Sequence, residues 1–281
     1  MITVSGAGIV DPWQVTYIHV HSAAGGRMEQ TQYHDTSRAL LALSGPEADS
    51  FLQGLITNDV KLATDGVTYT AMLSPQGKYL FDFFVVKTAD GYLLDVDKAQ
   101  ADGLRLRLNM YKLRAKVTLV PSAMIVLRGN NDMPEDGLPD PRHAAMGWRA
   151  YREVGPYPAL PAGYFDAARV EAIVPKTSVE LLPNDSYILE MGFERLNGVS
   201  FRKGCYVGQE VTARMKHKTE LRKGLVRVQL DQPVPVGCDI TMDGRTIGQV
   251  FTQANGQALA YLRHDLAGPG MQAGGVPVRL Y

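Results

Sequence analysis

The 281-residue chain is poor in cysteine: only Cys205 and Cys238 are present. Two cysteines exclude a disulfide-built scaffold. They also exclude a closed cysteine-rich zinc site or an iron–sulfur cluster held by one chain alone. The 29 basic and 29 acidic residues balance, which argues against a chain-wide attraction to nucleic acid or membrane. No stretch approaches the roughly 18 apolar residues of a membrane span. We expect a soluble protein of a reducing compartment.

The pattern of apolar residues predicts a mixture of helices and antiparallel strands. After Pro46, apolar residues from Ala48 to Ile56 follow helical spacing, and Lys98–Leu113 has the pattern of a basic amphipathic helix. Short apolar runs separated by turn residues predict a meander of strands, Val67–Leu73, Tyr79–Val86 and Tyr92–Val96. These elements indicate an α+β fold class.

The chain divides into three parts. After Lys223, alternating apolar residues and glycine turns predict a small β-barrel or sandwich, which we assign to residues 218–281. Residues 28–217 form the α+β region, with two subdomains expected. Residues 1–27 contain no lysine and one arginine, unlike a secretory or transit signal. They are either a disordered extension or misassigned start, or an ordered leading strand, Gln14–Val20.

The segment around Cys205 carries the clearest chemical signal. Gly204 and Gly208 bracket the thiol, and glycine permits backbone conformations and close approaches that other residues do not. A helix predicted at Val207–Met215 would begin just after Cys205, beside Arg202 and Lys203, and both features favour a thiolate. The alternative is a buried free cysteine in a loop. No histidine lies within five residues, which disfavours nucleophilic catalysis.

Residues 203–210 read KGCYVGQE and fit the K-G-C-Y-x-G-Q-E signature of the YgfZ family and its mitochondrial CAF-type relatives. Residues 51–59 (FLQGLITND) and 72–78 (MLSPQGK) resemble two further motifs of that family, in the same order. The chain therefore resembles YgfZ-like folate-binding proteins, which are similar in fold to the aminomethyltransferase (GcvT, the T-protein) of the glycine-cleavage system. The resemblance implies a GcvT-like folate-binding domain with antiparallel sheets and helices, followed by a small C-terminal β-barrel.

The resemblance also implies a function and a set of site residues. The function is a tetrahydrofolate-binding accessory role in the maturation or repair of iron–sulfur proteins. Cys205 would be the working thiol, as a transient cluster ligand, a redox partner or a mixed-disulfide former, at the edge of a pterin-sized cavity. The folate contacts expected by resemblance are Asp82, Arg169, Glu171, Glu190, Gly204, Tyr206, Gly208, Gln209, Glu210 and Arg214.

Several of these residues have a structural alternative. Asp82 replaces an aspartate pair of the aminomethyltransferases, but it could equally be an outward-facing acid, since Tyr79, Phe81, Phe83 and Val85 alternate with it. The glycine that normally follows the Arg-x-Glu element is missing after Arg169 and Glu171, so an ion pair there could be structural. Glu190 could contact folate or join two domains.

Residues 195–223 hold eight lysines and arginines against two glutamates. This basic run could bind the folate glutamate tail, contact RNA or form a solvated linker face.

Two alternative functions remain open: a folate-dependent one-carbon transferase, and a tRNA-modification-related binding protein. The expected partners are folate and iron–sulfur assembly or client proteins, without direct nucleic-acid or membrane contact. No permanently bound metal is expected. We expect a monomer, in the bacterial cytoplasm or, in a eukaryote, the mitochondrial matrix.

Overall fold

A computed structural model describes residues 32–217 and 221–281 of the chain. The leading segment 1–27, with its candidate strand Gln14–Val20, lies outside the described residues.

Four helices and fifteen strands are formed within the described residues. The helices are α1 (Ala48–Gln53), α2 (Ala101–Lys112), α3 (Asp166–Ala172) and α4 (Gln209–His217). The strands are β1 (Tyr33–His34), β2 (Arg38–Ser44), β3 (Val67–Leu73), β4 (Tyr79–Thr88), β5 (Gly91–Asp97), β6 (Thr118–Pro121), β7 (Ile125–Gly129), β8 (Leu138–Pro139), β9 (Trp148–Arg152), β10 (Lys223–Leu230), β11 (Asp239–Met242), β12 (Arg245–Ala254), β13 (Gln257–Arg263), β14 (Gln272–Ala273) and β15 (Val276–Leu280). Short 3-10 turns, including Val60–Thr64 and Lys98–Gln100, connect some of them.

The first sheet is antiparallel with strand order β3-β4-β5-β2-β6. It is covered on both faces, which is why every residue of β3 is buried. On one face, Phe83 and Leu94 pack against Leu104 and Leu108 of α2. The other face packs against α3 and residues 188–196 through a second apolar cluster. The predicted meander is confirmed, because its apolar runs fill this double-sided core.

Helix α1 ends three residues earlier than the apolar spacing predicts. Gly54 follows Gln53, and Ile56 leaves the helix to form a bridge with Met72 of β3. Ile56 is fully buried there, so its apolar character reflects contact with the sheet.

The second sheet has the order β1-β7-β9-β8, and β7 and β9 pair antiparallel from Ile125↔Arg152 to Gly129↔Trp148. Its small core contains Leu127, Trp148 and Ala150. Both sheets contribute residues to one cavity, described below.

The C-terminal strands close into a six-stranded barrel in the order β10-β13-β12-β11-β14-β15. Closure is made by β15 pairing with β10, where Val228 faces Leu280. Val228, Ile240 and Val250 are fully buried in the barrel interior. The predicted fold class, an α+β region with a small C-terminal barrel, is confirmed. None of the helices in the described part of the chain is long and apolar enough to cross a membrane.

Candidate functional site: a thiol loop and an arginine-lined cavity

Cys205 is exposed, in an irregular loop that precedes α4. The alternative of a buried structural cysteine is therefore wrong. Helix α4 begins at Gln209, four residues after the thiol and two residues later than predicted. The loop is held at several points by the rest of the motif, which fixes where the thiol is presented.

Lys203 is the main anchor of the thiol loop. Its Nζ donates to the carbonyl oxygens of Gln53 at 2.7 Å, Ile56 at 2.5 Å and Asn58 at 3.0 Å. These carbonyls lie at and after the C-terminal end of α1, where helix carbonyls lack intrahelical partners. Burial lowers the pKa of Lys203 to about 8, and Asp59 acts against this shift. The ammonium predicted to favour a thiolate is instead committed to these three carbonyls.

The two glycines of the motif have different roles. Gly208 has φ +83°, and a Cβ there would lie 2.4 Å from the carbonyl oxygen of Ser74, in the β3–β4 turn. Gly208 is therefore required for close packing. Gly204 has open space around it, with nothing within 4 Å of an added Cβ. The glycine at 204 leaves the backbone beside Cys205 uncovered.

The remaining motif residues make contacts within the loop and helix α4. The backbone N–H of Tyr206 donates to Oε1 of Gln209 at 3.2 Å, closing the loop ahead of the helix. The Tyr206 ring is buried in the core, and burial raises its pKa. Glu210 and Arg214 form an exposed pair one helical turn apart at 2.8 Å. Lys216 of the basic run is likewise paired, with Glu194.

A cavity of about 360 Å³ lies elsewhere, lined by residues of both sheets, of segment 160–166, of α3 and of segment 175–177. That volume is within the range of small-molecule sites. Its charged lining residues are Asp35, Arg38, Asp82, Asp97, Arg128, Arg142, Arg149, Asp166, Arg169 and Lys176. Cys205 does not line it, and of the ten predicted folate contacts only Asp82 and Arg169 do. The expectation that the thiol sits at a cavity edge is not met at this cavity, because the motif packs on the end of α1 and the β3–β4 turn.

Asp82 is buried and faces the cavity, so the alternative of an outward-facing strand acid is wrong. Its Oδ1 accepts from Tyr79 Oη at 2.7 Å and Thr177 Oγ1 at 2.6 Å, and its Oδ2 accepts from Tyr69 Oη at 3.0 Å. Burial, and then the charge of Asp82, raises the pKa of both tyrosines. A carboxylate has about four acceptor positions, so one remains for an N–H donor of a ligand.

A buried network of arginines and aspartates forms much of the cavity wall. Its ion pairs join four arginines to three aspartates: Arg38, Arg128, Arg142 and Arg149 with Asp35, Asp95 and Asp140. The two shortest both reach Asp95 at 2.6 Å, from Arg38 Nε and from Arg149 Nη1. Burial opposes the ionisation of Asp140, yet Arg142 and Arg149 hold its pKa well below the usual range.

Sequence reasoning missed this network, because its members come from separate segments. The available signal was an arginine among apolar residues of a strand, as at Arg128 of β7 and Arg149 of β9. Such a residue requires a buried partner, but its neighbours in sequence do not reveal which one.

Arg169 links the cavity to the barrel. Its Nη2 donates to Glu180 Oε2 at 2.8 Å and to Thr252 Oγ1 of β12 at 3.0 Å. Its ion-pair partners are therefore Glu180 and Asp166, in place of Glu171, which is exposed and outside the cavity. Residues two apart on a helix face different directions, which explains why Glu171 points away from the partner of Arg169.

Glu190 makes a domain-interface contact. It is buried and accepts a hydrogen bond from Tyr261 Oη of β13 at 2.7 Å. Burial, followed by this hydrogen bond, raises the pKa of Tyr261. The interface reading of Glu190 is the one that the contacts support, since it does not line the cavity.

No group of three or more histidine, cysteine, aspartate or glutamate side chains suited to a metal ion occurs within residues 32–217 and 221–281. Cys238 is half-buried just before β11 of the barrel, away from the motif of Cys205.

Comparison with known proteins agrees with this architecture. Residues 29–128 match the family described as GCVT N-terminal domain, and residues 222–281 match CAF17, C-terminal beta-barrel domain. The crystal structure of glycine cleavage system aminomethyltransferase T from Bartonella henselae superposes with a TM-score of 0.65 at 14% identity, over 89% of this chain and 84% of that one. That likeness establishes the fold.

Curated relatives are closer in sequence. The mitochondrial iron–sulfur cluster assembly factor IBA57 of Homo sapiens is 31% identical over 80% of this chain and 72% of its own length. The corresponding protein of Mus musculus is 30% identical over 83% of this chain and 77% of its own length. Identity and coverage of this extent show that the chain belongs to the IBA57 family.

Proposed function

We propose that this chain assists the maturation or repair of iron–sulfur proteins through the Cys205 loop, and that its cavity binds tetrahydrofolate or a derivative. The observation that carries the proposal is an exposed thiol on a loop fixed by three carbonyl contacts to Lys203. The names of the relatives, iron–sulfur cluster assembly factors of mitochondria, support the same role.

The cysteine count limits how Cys205 can act. A cluster bound through this thiol would need most of its ligands from a partner, because such clusters usually take four and this chain has two cysteines. An exposed loop suits that role, since a partner can approach the sulfur without unfolding the protein. The cluster is then cargo shared between two proteins.

The test is complementation of a strain that lacks this protein. Cys205→Ala is expected to abolish the activity of dependent iron–sulfur enzymes while leaving urea unfolding of the purified protein unchanged. Cys238→Ala is the matched control, since it removes the other thiol in the barrel, and it is expected to complement fully. Normal iron–sulfur enzyme activities in the Cys205→Ala strain would defeat the proposal.

The cavity residues fit a folate. A pterin carries N–H donors, and Asp82 has an acceptor position left for one of them. Arg128, a buried guanidinium of the same cavity wall, has an unbonded Nε, which suits an anionic group. In a titration with tetrahydrofolate, Asp82→Asn is expected to weaken binding about tenfold, by loss of one charge-assisted hydrogen bond. Cys205→Ala is expected to bind like the unaltered protein.

A folate-dependent one-carbon transferase is the second candidate, favoured by the position of Asp82 in the cavity. It requires a donor substrate and transfer of a methylene or methyl group to folate. An assay of folate-dependent transfer with the purified protein decides between the two. Transfer activity that is lost in Asp82→Asn and kept in Cys205→Ala would favour the transferase.

A further inference from the structure

Arg128 is a buried arginine whose hydrogen bonds are largely unmade. It is 6% exposed and lines the cavity. Of its five N–H donors, one makes a hydrogen bond among the described residues, from Nη2 to the carbonyl oxygen of Met146 at 3.2 Å. Its Nε is buried without a partner. The nearest carboxylates, Asp140 at 3.6 Å and Asp35 at 3.7 Å, lie beyond hydrogen-bond distance.

The neighbouring arginines are bonded differently. Arg149 donates to Asp95 at 2.6 Å and to Asp140 at 3.3 Å, and Arg142 binds Asp140 through two nitrogens at 2.9 and 2.8 Å. Asp140 thus already accepts hydrogen bonds from Arg142 and Arg149, and Arg128 lies farther from it. A buried polar group left without its hydrogen bond destabilises the protein, so the unbonded Nε of Arg128 favours a partner such as a ligand.

The charges of the network also favour an anionic ligand beside Arg128. Its ion pairs connect four arginines to three aspartates, which leaves one positive charge uncompensated within it. Asp82 lines the same cavity, but no ion pair joins it to Arg128 among the described residues. Burial, and then the charge of Arg149, lowers the pKa of Arg128 to about 9.

The geometry around Arg128 indicates which kinds of anion it can bind. The Arg128 guanidinium lies 3.8 Å from the centroid of the Phe165 ring, which also lines the cavity. A guanidinium presents its donors as a planar fork, which matches a carboxylate or a phosphate, and the folate proposed for this cavity carries carboxylates. We propose that the cavity holds a carboxylate group of its occupant against Arg128.

Two sources of that carboxylate can be separated by experiment. One is the glutamate end of a folate, and the other is a free small dicarboxylate. The inference goes beyond the proposed function, because it needs no pterin. Failure of tetrahydrofolate to bind would defeat the folate proposal, whereas the carboxylate site is tested by ligands that contain no pterin.

The experiment is calorimetric titration of the full chain with p-aminobenzoylglutamate, glutarate and the neutral 4-aminobenzamide. The first is expected to bind, and 4-aminobenzamide at least tenfold more weakly. Arg128→Gln is expected to lower the affinity for p-aminobenzoylglutamate by about 10- to 100-fold, the equivalent of a hydrogen bond to a charged group. Arg152→Gln, on β9 and paired with Asp136 outside the cavity, is the matched control and is expected to bind normally.

A second variant protects the test against misfolding. Arg128→Lys keeps the charge and loses the fork, and we expect it to unfold at a similar urea concentration but to bind several-fold more weakly. Glutarate binding as tightly as p-aminobenzoylglutamate would support the site with a free dicarboxylate as its ligand. Absence of binding by both p-aminobenzoylglutamate and glutarate would overturn the inference. So would an affinity for p-aminobenzoylglutamate in Arg128→Gln and Arg128→Lys equal to that of the unaltered protein, or a 4-aminobenzamide affinity equal to that for p-aminobenzoylglutamate.

Discussion

Replacing Lys203 by methionine would test whether the thiol loop is anchored as described. The change keeps an unbranched apolar stem and removes the ammonium from the carbonyl oxygens of Gln53, Ile56 and Asn58. Hydrogen bonds to a charged group contribute about 1.5–3 kcal/mol each, before the cost of burying the charge. Burial lowers the pKa of Lys203 to about 8, which shows that this cost is appreciable. We therefore expect a net loss of about 3 kcal/mol in the free energy of unfolding.

Two measurements check this prediction, and Lys216→Met is the matched control. Lys216 pairs with Glu194 at the surface, where such pairs contribute about 0–1 kcal/mol. Urea unfolding should separate the two variants. Hydrogen exchange should show loss of protection at the Val207 N–H, which bonds the Gly54 carbonyl at 3.2 Å across the same contact. Equal stability of the two variants, or unchanged exchange at Val207, would refute the anchoring role.

Three further changes follow from contacts described above. Gly208→Ala should destabilise the protein by several kcal/mol, because φ is +83° and the new Cβ would meet the Ser74 oxygen. The control, Gly204→Ala, should unfold at the normal urea concentration. Equal urea midpoints for the two variants would contradict this prediction. Thr252→Val should cost about 1–2 kcal/mol through its lost hydroxyl bonds to the Glu180–Arg169 pair, measured by thermal unfolding, and an unchanged melting temperature would count against it. The depressed pKa of Asp140 means that its contribution to stability is present above the unfolded value near 3.9 and is lost as pH falls below about 4. Urea unfolding between pH 6 and pH 3 should therefore show a falling free energy, with a flatter acid limb in Asp140→Asn; parallel limbs would refute this account.

The elements of the fold were largely readable from the sequence, since apolar spacing reports which residues face a core. The β3–β4–β5 meander and α2 appear close to their predicted bounds. The shortest strands, such as β1, β8 and β14, have two residues each and are defined by pairing partners distant in sequence. A two-residue segment contains no period, so no local pattern could predict it.

The candidate site was only partly readable. The contiguous motif identified Cys205, and the alternation around Asp82 left its direction open. Gly204 and Gly208 have different roles that the sequence does not distinguish, because the close approach of Ser74 to Gly208 is a property of the fold. The contribution of Arg128 depends on Asp35 and Asp140, which lie in segments distant in sequence, so no contiguous pattern could reveal it.

The bond from Arg169 to Thr252 bears on how the protein can be divided. Truncation after His217 would remove the threonine that accepts from Arg169 and donates to Glu180, and would strip cover from a buried glutamate. Residues 32–217 alone would therefore lack the contact that the barrel supplies to Arg169 in the cavity wall. A ligand that drew Arg169 into the cavity would break its hydrogen bond to Thr252, a contact between α3 and β12 of the barrel.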